Sequence, residues 1–396
     1  MIPQSKNLDK VISFSLMSFV CFSFFSISLT QISCGVGGLA WMAKCYFTRS
    51  WGKQALPLKI PFLLFFLACL VAVVGAVDFS ESYKSLKRLL EILIFFWAVN
   101  CIDGEELKER LTLLLIASAT LSTLIAFYSA LETGIHHGAR AEGTMSVYMT
   151  YAGVLMLALL LAIAKVVFAP KENKWLIVAM VMMAVCLMLT FTRQAWLGVV
   201  AGVFFLLWFR KKALLWLMPV IIGIIFLNSP ANIKDRITSL INLNDTNLQI
   251  RIALWQGGWL VFKDHPLTGC GFKCIDAVHQ DYPDPTRYIK KLRGLHNNYI
   301  QLAVDTGLFG LVSWISIWVV YFMTLYQRLI SIQGNAAYRR DAMGSAAAVI
   351  GFLVAGFFET NFYDAEVSML LYFILALPFT ATRFLSREGD IQKPSS

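Results

Sequence analysis

Long apolar runs, such as LTLLLIASATLSTLIAFYSAL (111–131) and VYMTYAGVLMLALLLAIAKVVF (147–168), recur along this chain between short polar connections. No other feature limits its fold as tightly. A bilayer core takes about 20 helical residues to cross. Lipid offers backbone groups no partner, so such runs must close their own hydrogen bonds as helices. The alternation expected of a membrane β-barrel is absent. Composition agrees: 58% of the 396 residues are hydrophobic, 15% are charged, and mean hydropathy is +0.66. Soluble domains average roughly 45–50% apolar and about 25% charged.

The runs lie near 12–32, 33–48, 60–77, 86–102, 111–131, 147–168, 175–191, 193–209, 212–227, 301–325, 342–359 and 366–383. They predict an all-α polytopic membrane protein of about twelve transmembrane helices, forming one domain over 1–396. The second run is the loosest, because it holds Gly35, Gly37 and Gly38. The apolar start reads as an uncleaved first span. QISCG resembles a lipoprotein cleavage site, but Gln31 stands where such sites usually carry Leu.

Basic residues set the orientation. With the N-terminus inside, cytoplasmic ends hold Lys44, Arg49, Lys53, Lys59, Lys108, Arg110, Lys165, Arg210, Lys211, Lys212, Arg339 and Arg340, among others. The short outer connections hold only Lys84, Lys87, Arg88, Arg140 and Arg193. By the positive-inside rule both termini are cytoplasmic, and segment 228–300, between spans 9 and 10, is one large outer loop. The net charge of +10 is thus explained by topology, and no nucleic-acid partner is implied.

Within the loop, LQIRIALWQGGWLVFKD has helical spacing and predicts a helix over 248–263, starting soon after Asp245–Asn247. Its Trp255, Trp259 and Phe262 suit a membrane surface. Cys270 and Cys274 also lie in the loop, with a spacing that neither requires nor excludes a disulfide. Together with His265 and His279 they lack the paired-Cys pattern of a zinc site.

Three stretches place polar groups at the lips of spans. In LHNNYIQLAVDTGLFG (295–310), His296, Ile300, Ala303, Gly307 and Gly310 share one helical stripe. Ala303 and Gly307 form a small-xxx-small pair that would let another helix approach. His296 is thus either a histidine at a wet helix end or a group facing a site. Arg193, in LTFTRQAWLG, sits at a tight outer turn with no acid nearby in sequence. It either snorkels or binds an anion. Arg251, early in the loop helix, is a second anion-binding candidate; its other reading is a lipid-phosphate contact or a plain solvated charge. No acidic pair, HExxH or Gly-rich phosphate loop is visible, so no metal or cofactor is implied.

These three stretches, LTFTRQAWLG, IRIALWQGGWLVFKDHPLTGCGF and LHNNYIQLAVDTGLFG, in this order and with this topology, resemble the bacterial O-antigen ligase and polymerase family. His296, Asn297, Gly307 and Gly310 match the family's last motif throughout. The resemblance implies a metal-independent, inverting glycosyltransferase of the bacterial inner membrane with its active site facing the periplasm. It moves polysaccharide from undecaprenyl diphosphate to the lipid A–core oligosaccharide. Arg193 and Arg251 would hold the diphosphate, and His296 would act as base. Arg140, in ARAEGTMSVYMTYAG, and Asn297 are further substrate-binding candidates, and the DHPLTGCGF turn is structural. Glu359, Asp364 and Glu366 are candidates to orient His296. Lys290, Lys291 and Arg293 precede His296 and either meet acceptor phosphates or are plain solvated charges. The alternatives are a polymerase that extends lipid-linked repeats, and a transporter of polyprenyl-linked sugars. Transporters, however, tend to show related halves and polar groups at mid-membrane, and neither is visible here.

Overall fold

A computed structural model describes residues 3–133, 140–145, 147–169, 174–228, 231–238, 242, 244–292, 294–332 and 334–380. Arg293 and the last sixteen positions, 381–396, lie outside the described residues. Among the described residues every regular element is helical. In chain order these are α1 (Pro3–Phe22), α2 (Ile27–Phe47), α3 (Lys59–Val74), α4 (Phe79–Ser85), α5 (Ile92–Cys101) and α6 (Glu105–Thr133). Then come α7 (Tyr148–Phe168), α8 (Trp175–Leu189), α9 (Arg193–Arg210), α10 (Leu217–Asn228), α11 (Ala231–Thr238) and α12 (Thr246–Asp264). The last are α13 (Cys274–Val278), α14 (Tyr288–Leu292), α15 (Asn298–Ser331), α16 (Ala336–Ala355) and α17 (Ala365–Thr380).

Every expected span overlaps a helix, but three boundaries move. Segment 12–32 straddles a break after Phe22, where the Ser26 hydroxyl accepts the Leu29 N–H and starts α2. Ser26 is in extended backbone there, with φ −157°. Segments 86–102 and 212–227 each open as 3₁₀ turns, Leu86–Glu91 and Lys212–Trp216, before becoming α-helical. Among the described residues, three helices are long and apolar enough to cross a membrane: Glu105–Glu132, Tyr148–Phe168 and Asn298–Ser331. Three shorter apolar helices, α3, α8 and α17, accompany them.

The centre of the bundle is α7, in which every residue from Thr150 to Ala162 is buried. An all-round apolar helix has no solvent face and belongs inside. Against it, α9 and α16 cross backbone to backbone. A Cβ on Gly198 would stand 2.6 Å from the Gly351 carbonyl oxygen, and one on Gly202 would stand 3.0 Å from that of Ala347. The pairs Gly198/Gly202 and Ala347/Gly351 are thus small-xxx-small contacts. They fix the height of Arg193, just over one turn above Gly198, relative to the end of α16.

Gly307 does not serve a helix crossing, contrary to the spacing-based expectation. It breaks α15, with φ 63° and ψ −166°, a region essentially reserved for glycine. The turn at 265–271 fills the break. Leu308 N–H donates to the Pro266 carbonyl at 2.8 Å and Phe309 N–H to that of Leu267 at 3.2 Å. Across the same turn, Cys270 and Gly271 N–H donate to the carbonyls of Val304 and Asp305, each at 3.0 Å. Backbone groups freed by the break are therefore re-satisfied, as a non-helical stretch of a span requires. Cys270 and Cys274 are joined by a disulfide in this loop.

At the opposite end of the bundle, basic residues counted at cytoplasmic ends are buried and paired. Lys108, 1% exposed, meets Glu105 at 2.8 Å and Asp341 at 3.0 Å. Glu109 takes Lys165 and Arg340, each at 2.6 Å. This network ties α6, α7 and α16 together.

Candidate active site

The sequence LHNN has a definite structural job. Asn297 is the N-cap of α15: its Oδ1 accepts the N–H groups of Tyr299 at 2.9 Å and Ile300 at 3.0 Å. Its Nδ2 donates to the Phe357 carbonyl at 3.0 Å. Asn298 continues the seam. Its N–H donates to the Gly356 carbonyl at 2.8 Å, its Nδ2 to Asn361 Oδ1 at 2.6 Å, and its Oδ1 accepts the Phe362 N–H at 3.1 Å. Two asparagines thus stitch the start of α15 to the connection between α16 and α17.

That seam brings Glu359 to His296. The helix begins only at Asn298, so His296 precedes it and does not share a helical face with Ile300 and Ala303. Its backbone is left-handed, with φ 45°, a conformation that costs a non-glycine residue roughly 1–2 kcal/mol. Neighbouring bonds hold it there. Leu295 N–H donates to Gln301 Oε1 at 3.1 Å, and the Leu295 carbonyl accepts Trp255 Nε1 at 3.0 Å. The imidazole Nδ1 lies 2.9 Å from Glu359 Oε1. Glu359 is buried, its Oε1 also accepts the Thr360 N–H at 3.0 Å, and its Oε2 accepts Gln194 Nε2 at 3.2 Å. Of the three acids weighed as orienters, Glu359 contacts the imidazole. Asp364 instead accepts from Thr150 Oγ1 at 3.2 Å.

Arg193 is the first residue of α9 and lies beside Gln194. It is buried and donates to Asp245 Oδ1 at 3.0 Å. Asp245 is also the N-cap of α12, accepting the Leu248 N–H at 3.1 Å. Burial works to raise the Asp245 carboxyl, but the Arg193 hydrogen bond and charge override it and leave it below its ordinary value. The acid missing near Arg193 in sequence is supplied from the loop.

Arg251 lies in the second turn of α12. Burial lowers its pKa below the usual guanidinium value; Glu359 opposes that shift, Arg193 adds to it, and Asp245 and Tyr148 oppose it. All four are therefore within electrostatic reach. Among the described residues Arg251 makes no hydrogen bond and no ion pair; its one contact of note is the Phe358 ring, 6.0 Å from its guanidinium carbon. Arg140 lies over the Tyr148 ring at 4.1 Å, so Tyr148 joins it to the same cluster. Lys290 and Lys291 are exposed on the loop, in α14.

The structure thus gathers Arg193, Arg251 and His296 around Glu359 and Asp245, with Arg140 one ring away. Residues 178–315 match the family model for O-antigen ligase. This part of the chain is similar to O-antigen ligases. Comparison of the whole chain with curated proteins returned no match. The matched stretch runs from α8 into the middle of α15 and contains Arg193, Gln194, Asp245, Arg251, His296 and Asn297. Glu359 lies beyond it and Arg140 before it.

Proposed function

We propose that the chain is an O-antigen ligase. In this reading it transfers polysaccharide from undecaprenyl diphosphate to a sugar hydroxyl of lipid A–core, at the periplasmic face of the inner membrane, by inverting, metal-independent glycosyl transfer. The bond from the anomeric carbon to the diphosphate breaks as the acceptor oxygen attacks from the opposite side. The acceptor proton passes to His296, and the diphosphate leaves with the electron pair. General-base assistance of this kind is worth roughly 10²–10⁴-fold.

The observation that carries the reading is Arg251: a guanidinium with no ionic partner among the described residues, within electrostatic reach of Arg193 and Glu359. Its planar fork suits two phosphate oxygens. Arg193 opens α9, whose N-terminal dipole favours negative charge. Arg140 joins through Tyr148. Asn297 contributes by holding the connection that bears Glu359, through its bond to the Phe357 carbonyl. An apolar furrow of about 670 Å³ suits a polyprenyl tail. It starts at Leu197, one turn from Arg193, and runs along α9 to Phe209 beside Ile350 and Val354.

Purified protein in detergent, given undecaprenyl-diphosphate-linked polysaccharide and lipid A–core, transfers sugar in this reading. Arg251→Ala and His296→Ala lose at least about 100-fold while remaining folded. Extension of lipid-linked repeats without transfer to lipid A–core would make it a polymerase. Absence of any transfer would point to a carrier.

A further inference from the structure

We infer that Glu359, seated by Gln194, is a positioning residue: it fixes the imidazole of His296 so that Nε2 meets the acceptor hydroxyl. This rests on the reading of His296 as the base.

The hydrogen-bond pattern selects the tautomer. An ionised carboxylate can only accept. Glu359 Oε1, 2.9 Å from Nδ1, therefore requires the proton on Nδ1 and leaves the Nε2 lone pair free to take another. The carboxylate cannot swing away, because Thr360 N–H holds Oε1 at 3.0 Å and Gln194 Nε2 holds Oε2 at 3.2 Å. Exposure runs the right way: the Glu359 side chain is 10% exposed and that of His296 is 26% exposed. The orienting acid is thus sealed behind a base that opens outward. Gln194 is buried beside Arg193, so the residue that steadies the carboxylate sits on the same turn as a diphosphate ligand. Three segments far apart in sequence, at 194, 296 and 359, meet in one line of hydrogen bonds.

The test is a double-mutant cycle on purified protein, using the lipid-linked polysaccharide as donor and lipid A–core as acceptor. Glu359→Gln preserves shape but can present an N–H to Nδ1 and stabilise the wrong tautomer. It should lower kcat on the order of 10²-fold and leave KM for the donor unchanged. Residues acting as one unit are not additive, so His296→Ala and His296→Ala/Glu359→Gln should share the same residual rate. Gln194→Leu should give a smaller kcat loss that also vanishes in the His296→Ala background, and it serves if Glu359→Gln fails to fold. The proposal is overturned if Glu359→Gln keeps wild-type kcat, or if its loss multiplies with that of His296→Ala. If His296→Ala itself keeps the wild-type rate, the base reading falls first, which is a distinguishable result.

Discussion

Arg193 is held by Asp245 at 3.0 Å, across 52 residues of chain, in a pair whose side chains are 7% and 12% exposed. The same carboxylate oxygen caps α12, the helix that carries Arg251. One acid therefore restrains one candidate diphosphate ligand and positions the other. It also competes with any anion that Arg193 would bind. Asp245→Asn keeps a good helix cap but removes the charge. The ligand-free variant should melt at lower temperature, since breaking a buried pair is costly. Lipid-linked donor should then raise its melting temperature more than it raises that of wild type. Thermal unfolding in detergent with and without donor reads both effects. The sign of the pH effect follows from the lowered carboxyl. The stabilisation is present above the ordinary value of 3.8 and is lost as pH falls through the lower folded value.

Asp364 should behave in the opposite sense. Burial, with the Glu359 charge behind it, pushes its carboxyl up to about 7 from 3.8. Between those values the folded state holds a proton that the unfolded state has released, so stability falls as pH rises through that window. Melting temperature should drop from pH 5 to pH 8. Asp364→Asn should flatten that part of the profile and be the more stable form at pH 8. An unchanged slope in the variant would mean another group is responsible.

Gly307→Ala should be among the most damaging substitutions outside the reacting groups. A Cβ there would stand 2.2 Å from the Leu267 carbonyl oxygen, and φ is +63°. The conformational penalty alone is about 1–3 kcal/mol, and displacing the 265–271 turn would unpair Leu308 and Phe309. The expected result is low folded yield by size-exclusion chromatography, with any folded fraction melting early.

At the far end of the bundle, Asp341→Ala would leave Lys108, 1% exposed, with Glu105 alone. Removing one partner of a buried pair costs roughly 3–5 kcal/mol. Melting temperature should fall clearly, while the transfer rate of the folded fraction stays close to wild type, because the site lies at the other end.

Much of this was legible in the chain. Apolar run length gave the helical class, and Asp245 ahead of a periodic segment marked the start of α12. The break between α1 and α2 was hidden, because Phe24 and Phe25 keep the run apolar while Ser26 starts α2 locally. Helical spacing put His296 on a stripe, but spacing carries no sign of φ, so the left-handed turn before Asn297 was not visible. Arg193 seemed to lack an acid because its partner comes from a loop far along the chain. Glu359 was one of three acids in a connection, and only the bonds made by Asn297 and Asn298 single it out.

The seam between those asparagines and residues 356–362 also sets a timetable. The chain is made from its N-terminus, and early segments fold first. Arg193, Arg251 and His296 are all synthesised before the segment that orients the histidine. A nascent chain that has inserted through α15 holds every candidate reacting group, yet nothing faces Nδ1. Orientation of the candidate base therefore waits until α16 and the residues up to Glu359 have been made.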